Sequence, residues 1–354
     1  MRTLDVIVYG VGAMGSNMVR LLQQRPGTRV VGAIDWDEKK IGRDVGEVAG
    51  LGKLLGVKVG YPPEEVLNRV KADVVLQATT AFLEEAFPQI ETVLKRNINI
   101  VTIAQELFFP IGANKQKAAE VDQLARRAEV GVTAVGINPG FIMDIIPIVG
   151  SLPCWEVHKV TSHRVVDFAP YGPDEMAHIG AGLTEKEFLS GVAAGTIGHI
   201  GLLETVAMVS HCLGLPIDEM KQTKEPIIAR STRKSAYITI PPGRVCGFQQ
   251  NVMGLSRSEI LLDYKMTGIV QPIAEEDGVE MGDYTRIEGT PSVDIRIREE
   301  ISQKGGLGTA AVVVNMIPRI LAASPGFHTM NQLMLPHIWN NSVEPAPVEK
   351  ITYF

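Results

Sequence analysis

The chain has 354 residues, 45% hydrophobic and 21% charged, which suits a soluble globular protein with a sizeable core in two domains or one large one. Its 34 basic and 40 acidic residues leave a net charge of −6 and no basic run, so there is no footprint for a nucleic-acid partner. No apolar stretch approaches the ~20 residues of a membrane span, the first strand pattern starts too early to leave room for a signal peptide, and Cys154, Cys212 and Cys246 are too scattered for a disulfide frame; a cytoplasmic protein without membrane partners is expected.

From the N-terminus, Asp5-Val6-Ile7-Val8-Tyr9 runs into Gly10-Val11-Gly12-Ala13-Met14-Gly15, and Asp35 closes the next apolar run. Strand, G-x-G-x-x-G turn, helix, strand and acidic terminus together predict a dinucleotide site. Gly10 permits the tight turn, Gly12 lets the backbone approach the pyrophosphate, Gly15 lets helix and strand pack closely, and the free N–H groups from Ala13 onward face the anion. Asp35 would accept hydrogen bonds from the adenosine ribose and repel a 2′-phosphate, which favours NAD; Lys39 and Lys40 lie near enough to screen a phosphate, so NADP stays open.

Residues 1–137 continue as alternating patterns. Apolar runs at Val6–Tyr9, Val30–Ile34, Val57–Val59, Val74–Ala78, Ile98–Ile103 and Val132–Ile137 are separated by helical patterns such as Met14–Gln24, Leu83–Arg96 and Asn114–Glu129. Near-continuous Val/Ile runs between helices predict a Rossmann-type, doubly wound parallel sheet covered on both faces. Ligands of such sheets bind beyond the carboxyl ends of the strands. That rule selects Thr79-Thr80, Ala104-Gln105-Glu106 and Asn138-Pro139-Gly140-Phe141 as loops facing cofactor and substrate.

Glu106, beside Leu107, Phe108 and Phe109, reads as a partly desolvated carboxylate suited to acid–base work. The alternative is a loop glutamate that caps the helix near Asn114 or points to water. Asn138 suits the carboxamide of nicotinamide, although Asn-Pro-Gly is also an ordinary turn tripeptide.

Residues 138–304 change character and predict an α+β domain with a mainly antiparallel sheet. Arg164 and Tyr171 fall in a segment where Arg164 can clamp a substrate carboxylate or pair with Asp167 as a surface residue. Thr184–Leu213 reads as a glycine-rich helical stretch carrying His199, a substrate-site candidate that can equally be a packing residue. Ser235–Ile240 and Val245–Asn251 read as strands around Pro241-Pro242-Gly243, Glu259–Thr267 as another, and Ser292–Arg298 alternates with Val293, Ile295 and Ile297 on one face. Residues 305–354 form a third segment. Gly305–Ala323 reads as one buried helix that packs back on the first domain, and the tail from Pro336 is expected to be irregular. The seven histidines show no metal-ligand spacing, and no metal is expected.

The motifs Gly10–Gly15, Ile103-Ala104-Gln105-Glu106-Leu107, Ile137-Asn138-Pro139-Gly140-Phe141, Gly198-His199-Ile200-Gly201-Leu202 and Gly308–Asn315 together resemble the 2,4-diaminopentanoate dehydrogenases and related native amine dehydrogenases, a branch of the dihydrodipicolinate-reductase-like superfamily. The resemblance spans essentially the whole chain. It implies reversible oxidative deamination of an amine, with a ketone and ammonia as the partners of the reverse reaction. It also implies Glu106 as the catalytic acid/base, a substrate carboxylate for Arg164 to hold, a homodimer and a place in ornithine catabolism; Tyr171, His199 and Phe141 stand beside Arg164 as candidates toward the substrate. Two other readings remain. One is a dihydrodipicolinate-type imine reductase, although that family's Lys-x-x-x-x-Ser-Gly-Thr-Ala pattern is missing. The other is a non-catalytic NAD-binding regulator.

Overall fold

The computed structural model describes residues 2–298, 301 and 306–333, with only the backbone of Asp174. It divides into two compact units, Met1–Ile137 with Gly306–Phe354, and Asn138–Gly305. In chain order the first unit holds β1 (Leu4–Tyr9), α1 (Ala13–Leu22), β2 (Thr28–Ile34), α2 (Val45–Val48), β3 (Val59–Gly60), α3 (Pro63–Arg69), β4 (Val74–Gln77), α4 (Leu83–Leu94), β5 (Asn99–Thr102), α5 (Gln105–Phe108), α6 (Asn114–Arg127) and β6 (Gly131–Ala134). The second holds a π-helical turn (Phe141–Ile145), α7 (Ile146–Gly150), β7 (Glu156–Asp167), α8 (Pro173–His178), α9 (Glu185–Ala193), α10 (Leu202–Leu213), β8 (Glu219–Ile228), β9 (Arg233–Lys234), β10 (Thr239–Ile240), β11 (Val245–Ser256), β12 (Glu259–Ile269), α11 (Ala274–Asp277), β13 (Gly282–Thr290) and β14 (Val293–Ile297). The chain then returns to the first unit with α12 (Leu307–Asn315), α13 (Ile317–Ala322) and β15 (Gly326–His328).

The first unit is the expected doubly wound sheet, ordered β15-β6-β5-β4-β1-β2-β3 and parallel throughout. Val6, Ile7, Val8, Val74, Val75 and Leu76 are completely buried, because crossover helices cover both faces. The strand β15 is an addition that three residues could not announce by periodicity. It is tied to α6 where Phe327 N donates to the Asp122 carboxylate at 2.9 Å.

The expected helix from Gly305 to Ala323 differs from the structure. Gly305 lies outside the described residues, and the segment forms two helices, α12 and α13, which meet at Met316. Pro318 has no N–H to donate into the preceding turn, so the ladder restarts there. The first of the pair, α12, packs on α1 within the first unit. The tail from Pro336 also lies outside the described residues.

In the second unit the sheet runs β14-β13-β7-β12-β11-β8, antiparallel except for the parallel β7–β12 pair. The sheet class follows the sequence reading, but several elements do not. Thr184–Leu213 is two helices. Thr184 caps α9 in a reciprocal capping box with Glu187, and the chain then leaves the helix because Gly195, Gly198 and Gly201 take φ values of +73°, +116° and +95°. His199 therefore lies on a loop between α9 and α10, not on a helix. The strand expected at Ser235–Ile240 is only the hairpin β9–β10, with the Ser235 hydroxyl accepting from Tyr237 N and Ile238 N across the turn. Ile295, on the apolar face of β14, packs with Ile287 against Gly150 at the end of α7. Through that contact the face meets α7, and Val293, Ile295 and Ile297 stay half-buried.

Candidate active site

The first unit builds a nucleotide cradle from backbone. Gly10 has φ +90°, and a Cβ there would overlap the Ala78 carbonyl. A Cβ at Gly15 would overlap the Gly10 carbonyl, whereas the space at Gly12 is open. Gly12 caps α1 without any side-chain hydrogen bond, and Gly12 and Ala13 are exposed. The first N–H groups of α1 thus have no competing side chain and point where an anion would sit. Met14 instead turns to Gly306, at the start of α12. Beyond β2, the buried Asp35 carboxylate accepts from Val11 N at 2.7 Å, from Asp37 N at 3.0 Å and from Lys40 Nζ at 3.0 Å. A carboxylate has about four acceptor positions, so Asp35 braces the glycine turn and keeps capacity for a further donor. Lys40 is neutralised between Asp35 and Asp37. These features fit a dinucleotide. At the end of β4, Thr79 donates to Gln89 at 2.6 Å and Thr80 to Glu85 at 2.5 Å, so both hydroxyls are engaged by side chains of α4.

Glu106 lies in the first turn of α5, half-buried. Its N–H donates to Ala81 O at 3.2 Å, and its Oε2 accepts from Leu83 N at 2.7 Å. Leu83 is the first residue of α4, whose N-cap Phe82 offers no side-chain acceptor. Glu106 therefore caps a helix, but it is α4 and not the helix near Asn114. The carboxylate is oriented by a helix start that complements its charge, and no protein donor reaches Oε1 among the described residues.

In the second unit, cross-strand register aligns Lys224, Gln250, Met266, Arg164 and Asp283 across β8, β11, β12, β7 and β13. Alternation puts all five on one face of the sheet. Arg164 Nη1 donates to Asp283 at 2.8 Å and both are buried. Burial pushes the Asp283 carboxyl upward against the opposing pull of Arg164. The alternative partner Asp167 is elsewhere, accepting from Ala169 N and Gln271 N. Arg164 is thus an interior ion-pair residue, with its charge answered from within the chain.

On this row sit His199 and Asn138. The backbone N and O of His199 both bond the Gln250 amide, at 2.8 and 3.0 Å. His199 Nε2 lies 3.1 Å from the Asn138 carbonyl, and Asn138 Nδ2 lies 3.4 Å from Met266 Sδ. A carbonyl only accepts, so Nε2 carries the proton. Burial, then the charges of Arg164 and Lys224, bring the imidazole down to about 4, against the Asn138 bond. His199 is therefore neutral near pH 7, with Nδ1 as a bare acceptor. Its Nδ1 and the Asn138 Oδ1 are buried and have no partner among the described residues. Such acceptors are costly unless a donor arrives.

Below Asn138, Gly140 (φ +145°) donates its N–H at 2.7 Å to Asp144, which is fully buried. Desolvation pushes this carboxyl up to about 7, with Glu204 adding to the rise and the Gly140 bond opposing it. Phe141 opens the π-helical turn, half-buried. Tyr171 stacks on Phe168 with centroids 5.0 Å apart. Sequence reasoning missed Lys224, Gln250, Met266 and Asp283. The only available signal was strand alternation, which names a face but not a partner. Among the described residues, no group of three or more His, Cys, Asp or Glu side chains is placed to hold a metal ion, and no helix is long and apolar enough to cross a membrane.

Comparison with known proteins bears on both units. Residues 141–347 match the family model of the 2,4-diaminopentanoate dehydrogenase C-terminal domain, and residues 4–132 that of the dihydrodipicolinate reductase N-terminus. The chain is 35% identical to the 2,4-diaminopentanoate dehydrogenase of Acetoanaerobium sticklandii, over 95% of each chain. It is 23% identical to an amine dehydrogenase of Streptomyces virginiae, over 92% of this chain and 94% of the other. The solved amine dehydrogenase of Mycobacterium smegmatis superposes with a TM-score of 0.85 at 25% identity, over 96% and 97% of the two chains. By contrast, the 4-hydroxy-tetrahydrodipicolinate reductase of Methanocaldococcus jannaschii matches at 28% identity over only 38% of this chain and 49% of its own. Nucleotide cradle, anchored glutamate and full-length similarity agree, and the chain belongs to the 2,4-diaminopentanoate dehydrogenase family of oxidoreductases.

Proposed function

We propose that this chain catalyses the reversible oxidative deamination of 2,4-diaminopentanoate, or a closely related amine, to 2-amino-4-oxopentanoate and ammonia, with NAD preferred over NADP. The observation that carries the reading is Glu106, a carboxylate in the same unit as the nucleotide cradle, with one oxygen anchored on Leu83 N and the other open. The similarity to 2,4-diaminopentanoate dehydrogenase supports the substrate, and the buried, Lys40-paired Asp35 supports NAD.

A bound nicotinamide supplies the hydride acceptor. The work of the chain lies around the resulting iminium ion. The Glu106 carboxylate stabilises that cation, takes a proton from the water that attacks it, passes that proton to the carbinolamine nitrogen, and accepts the hydroxyl proton as the C–N bond breaks, so that ketone and ammonia leave together. In amination the same group protonates the departing hydroxyl of the carbinolamine. The open Asn138 Oδ1 suits the amide N–H of a nicotinamide, and His199, kept neutral, offers Nδ1 to an N–H of the substrate. Phe141 and Tyr171 supply apolar walls. A cytoplasmic homodimer acting in ornithine breakdown belongs to the same proposal, supported by Cys154, Cys212 and Cys246, none of which is in a disulfide among the described residues, and by the family. The test is NADH formation from 2,4-diaminopentanoate, beside NADP⁺ and simple amines, with light scattering for the dimer. Silence on every amine in both directions would overturn the reading.

A further inference from the structure

Three cations of the second unit point toward its interior. Arg164 is answered by Asp283, and Arg233, fully buried, by Glu276 and Asp277 at 2.9 Å each. Lys224 has no acidic partner among the described residues. Its single protein hydrogen bond there runs from Nζ to the Ile197 carbonyl at 3.0 Å, which leaves the other ammonium donors open. The stem is half-buried, and desolvation lowers its pKa. It lies where a side chain on Gly198 would have to stand: a Cβ there would come within 2.6 Å of Lys224 Cδ, Cε and Nζ. The fold thus reserves space at a glycine with φ +116°, next to His199, for one ammonium group. Desolvated cations are ordinarily paired. At the end of the Lys224-Gln250-Met266-Arg164-Asp283 row, this half-buried ammonium without a carboxylate beside it among the described residues is placed to take up an anion from a ligand.

We propose that Lys224 is a specificity-determining residue that receives the carboxylate of an amino-acid substrate, in place of the already paired Arg164. The proposal rests on the amine dehydrogenase reading above. It accounts for two features with one ligand: the unanswered charge of Lys224, and an adjacent neutral His199 whose free Nδ1 is an acceptor for an amine and not a second anion site.

The experiment compares wild type, Lys224→Gln and Lys224→Arg on 2,4-diaminopentanoate and on pentan-2-amine, which lacks the carboxylate. The latter is read as substrate, or as competitive inhibitor if it is not turned over. Glutamine keeps a hydrogen-bond donor while removing the charge. The KM for the diamino acid should rise about 10- to 100-fold, the equivalent of about 1.4 to 2.7 kcal/mol, with kcat changed far less. The KM or Ki of the plain amine should move by a much smaller factor, and Lys224→Arg should recover most of the loss. Equal losses on both ligands would show that Lys224 only clamps the loop, and no loss on either would show that it does not meet substrate; both overturn the proposal. Lys224→Met, unbranched, of similar length and without charge, replaces the glutamine variant if that fails to fold. A wild-type enzyme silent on all amines would instead overturn the proposed reaction, and that result is visible before any variant is made.

Discussion

Replacing Glu106 by glutamine separates the helix cap that this side chain provides from the acid–base role proposed for it. Oε2 accepts the Leu83 N–H at 2.7 Å and so caps α4 from a neighbouring element. Glutamine keeps a carbonyl oxygen for that bond and loses only the charge at the helix start, worth about 0.3–1 kcal/mol. Alanine loses the acceptor too, worth about 0.5–2 kcal/mol on the scale of other helix caps. Neither cost unfolds a domain. The chemical cost is larger, because an amide neither takes a proton from water nor gives one to a leaving hydroxyl. The expected fall in kcat is on the order of 10²–10⁴. Steady-state NADH formation, thermal unfolding and cofactor titration on the same preparations give the answer. Glu106→Gln should melt close to wild type, bind cofactor nearly unchanged and turn over very slowly, while Glu106→Ala should be equally inactive and less stable. Turnover of the glutamine variant within about tenfold of wild type would refute the acid–base role, because it would leave Glu106 as a helix cap alone.

The glycine turn separates in the same way. Gly15→Ala drives a Cβ into the Gly10 carbonyl and should lower the melting temperature, whereas Gly12→Ala meets open space and should melt normally but bind NAD weakly; equal effects of the two on melting would count against the cradle. Asp35→Asn keeps an acceptor for Val11 N but loses the charge that disfavours a 2′-phosphate. The ratio of kcat/KM for NADP⁺ to that for NAD⁺ should therefore rise, and an unchanged ratio would remove Asp35 from cofactor choice. Asp144 titrates near 7 in the folded chain because burial disfavours its charge, against about 3.9 unfolded. Folding takes up its proton, so its contribution is whole below pH ~3.9 and is lost as pH rises to about 7. His199, lowered to about 4, works with the opposite sign, its contribution being present above pH ~6.5 and lost toward 4. Denaturant unfolding of wild type minus Asp144→Asn cancels the histidine and should show wild type losing ground from pH ~4 to ~7. Parallel curves would contradict the burial effect.

The first unit was legible because its requirements are local. A backbone turn with positive φ, an overlap that only hydrogen avoids at Gly15, and Val/Ile runs buried on both faces each leave a mark within a few consecutive residues. Glu106 was legible as a carboxylate beyond a strand end, but its anchor on Leu83 N was not, since 23 residues separate donor and acceptor. Helix ends were misread where glycine and proline act through the backbone, at Gly195–Gly201 and at Pro318.

By itself, the sequence determined a dinucleotide fold, its strand ends and the glutamate that stands at one of them. Only tertiary structure decided which charges neutralise one another. Arg164 could as well have met Asp167, three residues away, as Asp283, 119 residues away, until the register of β7 against β13 put Asp283 opposite it. The same register left Lys224 without a carboxylate and placed His199 between two cations. Pairing across a sheet depends on which strands become neighbours and in what alignment, and hydrophobic alternation along one strand carries neither.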